Sequence, residues 1–130
     1  MRIIHVFHHY YPIIGGLERA IEGLSRELVK LGHEVHVVTS KYGAEGRPSE
    51  EVINGIHVHR IRGIRLRYPD LTLPLEYPNV IKTADVVHGH SQNSLFTVKI
   101  IEKAKALGVK TVMHFMAVDA FDEHPNPLIR

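Results

Sequence analysis

The chain has 130 residues, one domain's worth and enough for a hydrophobic core. Hydrophobic residues make up 44% and charged residues 23%, as in soluble globular proteins, and a net charge of +2 with dispersed basic residues makes no case for nucleic acid. Without cysteine there are no disulfides or thiolate metal sites, and no apolar run approaches the roughly 18 residues of a bilayer span.

The N-terminus shows no secretory pattern, so a cytoplasmic location is expected. Ile3-Ile4-His5-Val6-Phe7 is short, β-branched and aromatic, and reads as a buried strand. After Tyr10-Tyr11-Pro12 and the pair Gly15-Gly16, a helix is expected, with Leu17, Ala20, Ile21, Leu24, Leu28 and Leu31 on its inner face. Gly32 is placed to close it. Glu34–Ser40 reads as a second strand, completing a βαβ unit with parallel strands and a right-handed crossover. Lys41–Asn54 is polar and reads as a surface loop ending in the turn signal Asn54-Gly55.

Ile56–Ile61 alternates apolar and polar, as a third strand does. Gly63–Asp70 is ambiguous, and Pro74 and Pro78 allow only a short or broken helix over Leu71–Ile81. Ala84–Ser91 reads as a fourth strand. A second helix is expected from Asn93 or Ser94 to about Leu107, with Phe96, Ile100, Ile101, Ala104 and Leu107 inward and Gly108 closing it. Val109–Phe115 is a fifth strand, and the tail from Val118 reads as a loop.

This alternation argues for an α/β fold with a mainly parallel sheet and helices on both faces, in one domain over residues 1–130. Ligands of such sheets bind at the carboxyl ends of the strands. The Gly15-Gly16 turn, the run His88-Gly89-His90-Ser91 and His114 all fall at that edge. The turn feeds a helix N-terminus, whose first N–H groups lack partners and carry partial positive charge. It is therefore either a tight joint or a seat for a phosphate. His90 and Ser91 suit hydrogen bonding to a hydroxyl-rich ligand, while Ser91, Asn93 or Ser94 equally suit capping the next helix. Glu18 lies in the first helical turn, where the dipole favours a carboxylate with or without a ligand.

Eleven histidines raise the question of a metal. His57/His59 and His88/His90 each point one way along a strand. No His-Glu-x-x-His helix exists, however, and the carboxylates do not cluster with the histidines in sequence, so no metal site is expected. A dinucleotide site is not expected either: the glycines are adjacent rather than spaced, and strand two ends in Thr39-Ser40 instead of an acidic residue.

Five sequence pieces together carry a resemblance. They are Tyr11-Pro12, Gly15-Gly16-Leu17-Glu18, Leu28-Val29-Lys30-Leu31-Gly32-His33-Glu34-Val35, Asn54-Gly55-Ile56-x-Val58 and Asp85-Val86-Val87-His88-Gly89-His90-Ser91. Up to about Phe121 the chain resembles the N-terminal part of retaining GT-B glycosyltransferases of family 4. It is most similar to the subgroup of the catalytic subunit of GPI N-acetylglucosaminyltransferase. The resemblance implies a Rossmann-like domain on the acceptor side of a two-domain enzyme. That enzyme would move a sugar from a nucleotide-diphosphate sugar to a hydroxyl of a lipid, sugar or small molecule, with no cofactor. It implies donor diphosphate at Gly15 and Gly16, and acceptor or sugar contacts at Tyr11, Glu18, His90 and Ser91. The family's Thr-x-His would put a histidine at Met116; His114, two places earlier, is the catalytic candidate here. The C-terminal nucleotide-sugar domain with its Glu-x7-Glu element has no counterpart in this sequence, so the chain alone is expected to be inactive. Membrane contact would come peripherally, through the acceptor. The alternative is a stand-alone Rossmann-like binding module without transfer activity.

Overall fold

The computed structural model describes residues 1–13 and 15–115. Strand β1 (Arg2–Val6) leads through the glycine turn into helix α1 (Gly16–Lys30), which returns to β2 (Glu34–Ser40) beside β1 and parallel to it. Helix α1 ends as Gly32 requires. Gly32 has φ +91°; its N–H donates to the Val29 carbonyl at 3.0 Å, and the His33 N–H donates to that of Leu28 at 3.1 Å. This double closure needs the left-handed conformation that glycine adopts without a Cβ clash. Helix α2 (Leu95–Ala106) closes the same way at Gly108, φ +76°.

The expected loop over Lys41–Asn54 contains a strand, β3 (Glu50–Ile53), which pairs antiparallel with β4 (Ile56–Ile61). Asn54 and Gly55 both have positive φ, 53° and 79°, which is the two-residue turn whose twist matches a hairpin. The ambiguous stretch forms a small antiparallel ribbon, β5 (Gly63–Arg65) with β6 (Thr72–Pro74), and a short 3-10 helix over Asn79–Thr83 follows. Strand β7 (Val86–His90) then lies on the other side of β1, and β8 (Thr111–His114) lies outside β7. The main sheet has the order β3-β4-β2-β1-β7-β8, parallel except for β3, with β3 and β8 outermost among the described residues. Met116 and the tail from Val118 lie outside the described residues.

Two apolar layers sandwich this sheet. On one face Phe7, Val35, Val37, Ile56 and Val58 pack with Ile21 of α1. On the other, Ile4, Val6, Val38 and Val87 pack with Phe96, Ile100, Ile101 and Ala104 of α2. Gly89 is where α2 comes closest: a Cβ there would lie 2.7 Å from Thr97 Cγ2 and 2.8 Å from Ile101 Cγ1. The glycine therefore faces α2, and alternation along the strand turns His88 and His90 to the α1 side.

The helix faces differ from expectation in part. Ile21 is buried and Leu17 and Leu28 are half-buried, but Ala20, Leu24 and Leu31 are exposed, as is Leu107 on α2. Leu31 and Leu107 are the residues at which the helices end, beyond their last packed turn. Ala20 and Leu24 instead border a groove described next, whose far wall is the β7–β8 side of the sheet.

Candidate functional site

The turn between β1 and α1 is tied down from several sides. Ser40 Oγ donates to the His8 carbonyl at 2.7 Å, joining the carboxyl ends of β1 and β2. Arg60 reaches in from β4: one guanidinium nitrogen donates to the Tyr11 carbonyl at 2.9 Å, another donates to the Pro48 carbonyl at 3.1 Å, and Glu51 lies 3.0 Å away. Arg60 is only 2% exposed. A buried arginine needs its charge paired, which Glu51 does, and its two terminal nitrogens fix the loop. Nothing in the sequence singled it out, and it breaks the alternation of its strand by standing on the face of Ile56 and Val58. The Tyr11 ring itself is exposed, with the Arg47 guanidinium 4.9 Å from its centre.

Gly15 and Gly16 have different jobs. Gly15 is the extended N-cap of α1 and no side chain caps it. A Cβ on Gly15 would collide with the Glu18 carboxylate, whereas one on Gly16 would meet nothing within 4 Å. Neither glycine has a positive φ, so neither is there for backbone freedom. Gly15 makes room for Glu18, and Gly16 leaves the helix N-terminus open to approach. Glu18 is buried over the start of α1, 3.7 Å from His9 Nδ1, and Arg65 donates to His9 Nε2 at 2.7 Å. Its carboxylate answers the positive end of the helix dipole on the side away from Gly16.

Gly16 opens on a groove of about 480 Å³, shared by Ala20 and Leu24 of α1, His88 and His90 of β7 and His114 of β8. His90 and His114 are register partners across β7 and β8, with ring centres 5.7 Å apart. Ser91, just past β7, takes a left-handed conformation, φ +72°, and its N–H donates to the His114 carbonyl at 3.0 Å. Such a backbone in a non-glycine residue is uncommon and concentrates at functional sites. Of the capping candidates, it is Ser94 that caps α2: its Oγ accepts from the Thr97 N–H at 3.3 Å and bonds with His8 Nδ1 at 2.8 Å. Tyr11 and Glu18 lie apart from the groove, in a small cleft with Tyr10, Arg19 and Glu22. Of the seven residues expected at the site, Gly16, His90 and His114 thus line the groove and Tyr11 and Glu18 the cleft, while Gly15 and Ser91 lie in the backbone beside them. A larger surface groove of about 710 Å³, between Ser49–Glu50 and Tyr77–Val80, contains none of them.

The histidines converge more than their spacing suggested. His5 Nδ1 and His90 Nε2 are joined by a hydrogen bond of 2.9 Å. Burial, together with the neighbouring His88 ring, lowers the pKa of His5 to about 4. Burial, with the His88, His5 and His114 rings, lowers that of His90 to about 3. His88 is also lowered by burial. Near neutral pH these imidazoles are uncharged, and within the His5–His90 pair one ring donates and the other accepts. Carboxylates do meet histidines elsewhere, contrary to the sequence reading: Glu34 with His36 at 2.7 Å, and Glu50 with His59 at 3.4 Å.

Comparisons with known proteins agree with this architecture. A sequence model described as Glycosyltransferase Family 4 matches residues 14–127. An uncharacterized glycosyltransferase of Methanocaldococcus jannaschii is 45% identical over 65 residues, covering 49% of this chain and 16% of that protein. A human phosphatidylinositol N-acetylglucosaminyltransferase subunit is 30% identical over 118 residues, covering 85% of this chain and 24% of that protein. The chain therefore spans about a quarter or less of these relatives. Among solved structures, sucrose-phosphate synthase from Thermosynechococcus elongatus superposes with a TM-score of 0.65 at 14% identity, over 96% of this chain and 35% of that one. The catalytic domain of Arabidopsis thaliana starch synthase IV, bound to ADP and acarbose, gives 0.53 at 15% identity, over 87% and 33%.

Proposed function

The chain belongs to glycosyltransferase family 4, and on that footing we propose that it supplies the acceptor-side half of a sugar-transfer site. The donor is a nucleotide-diphosphate sugar, and transfer retains the configuration at the sugar carbon. The observation that carries this reading is the unobstructed start of α1 at Gly16, opening on the same groove as His90 and His114. As the sugar–oxygen bond breaks, negative charge grows on the leaving diphosphate. The free N–H groups of the first helical turn meet that charge with dipoles already in place. His114 and the neutral His90 face the sugar and its acceptor hydroxyl. Tyr11 and Glu18 take the acceptor in the neighbouring cleft, where a carboxylate accepts hydrogen bonds from hydroxyl groups. Ser91 holds the end of β7 in position for them.

The starch synthase neighbour, which is bound to ADP, supports a nucleotide donor. The relatives named for phosphatidylinositol support a lipid headgroup as acceptor, and with it contact with a membrane surface. Among the described residues no helix is long and apolar enough to cross a membrane. We further propose that transfer requires a second domain that completes the donor site, so that this chain does not turn over alone.

The test is Gly16→Val in a two-domain enzyme containing this chain. A Cβ at Gly16 meets no protein atom, so the fold survives, but the side chain fills the approach to the helix N–H groups. Loss of one such contact at the transition state is worth about 3 kcal/mol, or roughly a hundredfold in rate. A folded variant with near wild-type transfer would show that the turn is only a joint.

A further inference from the structure

We propose that His5, His88 and His90 form a binding site for a divalent transition-metal ion, with an open coordination position facing the groove. The three residues each offer a ring nitrogen, and these nitrogens lie within 4.8 Å of one another. The arrangement follows from the sheet. His88 and His90 are two residues apart on one face of β7, and His5 is the register partner of His88 on the adjacent strand β1. Two imidazoles from one strand and a third from its neighbour give a three-nitrogen facial set on a rigid scaffold.

Zn–N bonds of about 2.0–2.1 Å place tetrahedral ligand nitrogens roughly 3.4 Å apart. His5 Nδ1 and His90 Nε2, now at 2.9 Å, need to part by about half an ångström to reach that spacing. His88, half-buried and with its ring stacked 4.3 Å from that of His90, swings in as the third ligand. The fourth position looks toward His114 and the groove, and is open to water or an anionic oxygen.

The pair sits in a dry environment. His5 and His90 are 1% and 3% exposed, yet His5 Nε2 and His90 Nδ1 have no hydrogen-bond partner among the described residues. As ligands through His5 Nδ1 and His90 Nε2, both neutral rings turn their inner lone pairs to the ion in place of the hydrogen bond between them, and their outer nitrogens stay as they are. The other histidine cluster, His36, His57 and His59 on the opposite face, is built differently: Glu34 and Glu50 already face the outer nitrogens of His36 and His59. Imidazole donors without thiolates select ions such as Zn²⁺, Cu²⁺ or Ni²⁺ over Mg²⁺ or Ca²⁺. The inference stands apart from the sugar-transfer reading, because binding of the ion alone is what is measured.

The experiment uses the untagged full chain, stripped with chelator and titrated calorimetrically with Zn²⁺, with the visible spectrum of Co²⁺ as a second readout. We expect one ion per chain and a four-coordinate Co²⁺ spectrum. His88→Gln, at a half-exposed position that leaves the fold intact by circular dichroism, weakens binding by at least roughly tenfold. His57→Gln leaves binding unchanged. Absence of saturable binding overturns the proposal. So does binding that survives His88→Gln, or that falls equally in both variants. Should His88→Gln misfold, His90→Asn read by the Co²⁺ spectrum decides in its place.

Discussion

Replacing Arg60 with methionine keeps the aliphatic stem in its pocket and deletes the guanidinium. Two backbone acceptors lose their donor, the Pro48 and Tyr11 carbonyls. Hydrogen bonds from a charged group are worth about 1.5–3 kcal/mol each. Pro48 and Tyr11 are exposed residues, so water replaces part of both. Glu51 is not abandoned, because Arg47 still reaches it at 2.7 Å. One term runs the other way: Arg60 Nε is buried without a partner among the described residues, and that cost disappears with the guanidinium. The balance is a loss of about 2 kcal/mol, below the 3–5 kcal/mol of a buried pair broken outright. Urea denaturation of the wild-type and Arg60→Met chains gives this difference at constant slope. Hydrogen exchange adds the local readout: amides from Tyr11 to Leu17 should lose protection more than those of β1. A change under about 0.5 kcal/mol, or exchange raised uniformly, would refute the view that Arg60 holds the turn.

Acid should destabilise the metal-free chain before its carboxylates titrate. Burial, with nearby His9 and Arg65, lowers the His8 pKa to about 3. The unfolded chain therefore takes up this proton first, and the stabilisation is complete above pH 6.5 and lost as pH falls toward 3. Each tenfold step in proton affinity is worth about 1.4 kcal/mol, so His8 alone accounts for roughly 2 kcal/mol at pH 5. His8→Asn should flatten the slope of urea stability between pH 6.5 and 5, and equal slopes would count against it. Ser94→Ala removes the α2 cap and also the partner of His8 Nδ1, with an expected cost of about 2–3 kcal/mol by the same assay. Gly15→Ala meets only the movable end of Glu18, so we expect at most about 1 kcal/mol lost and a separation of Glu18 from His9, visible as a changed His9 titration by NMR.

Periodicity made the main elements legible. The run of Ile3 to Phe7, the stripe on α1 and the pairing of each helix with a closing glycine specify both βαβ passes locally. The β3–β4 hairpin was hidden although its turn signal was recognised: Asn54-Gly55 calls for a strand on both sides, but Glu50-Glu51 reads as loop. The exposed Ala20 and Leu24 share the spacing of buried Ile21, and only the position of the groove separates them. The histidine cluster was illegible for a topological reason. His5 precedes His88 by more than half the chain, and only the placement of β7 against β1 brings them together. Arg60 escaped because its partners, Tyr11 and Pro48, lie in loops.

The two borders of the main sheet differ in kind. Strand β3 presents the exposed Glu50, with Glu51 held by Arg47 and Arg60, whereas β8 reads Thr111-Val112-Met113-His114 and has no acidic, lysine or arginine side chain. An unpaired strand border recruits further strands by its free backbone groups, and adjacent carboxylates repel such recruits. Among the described residues, the β3 border is thus the one guarded against strand addition.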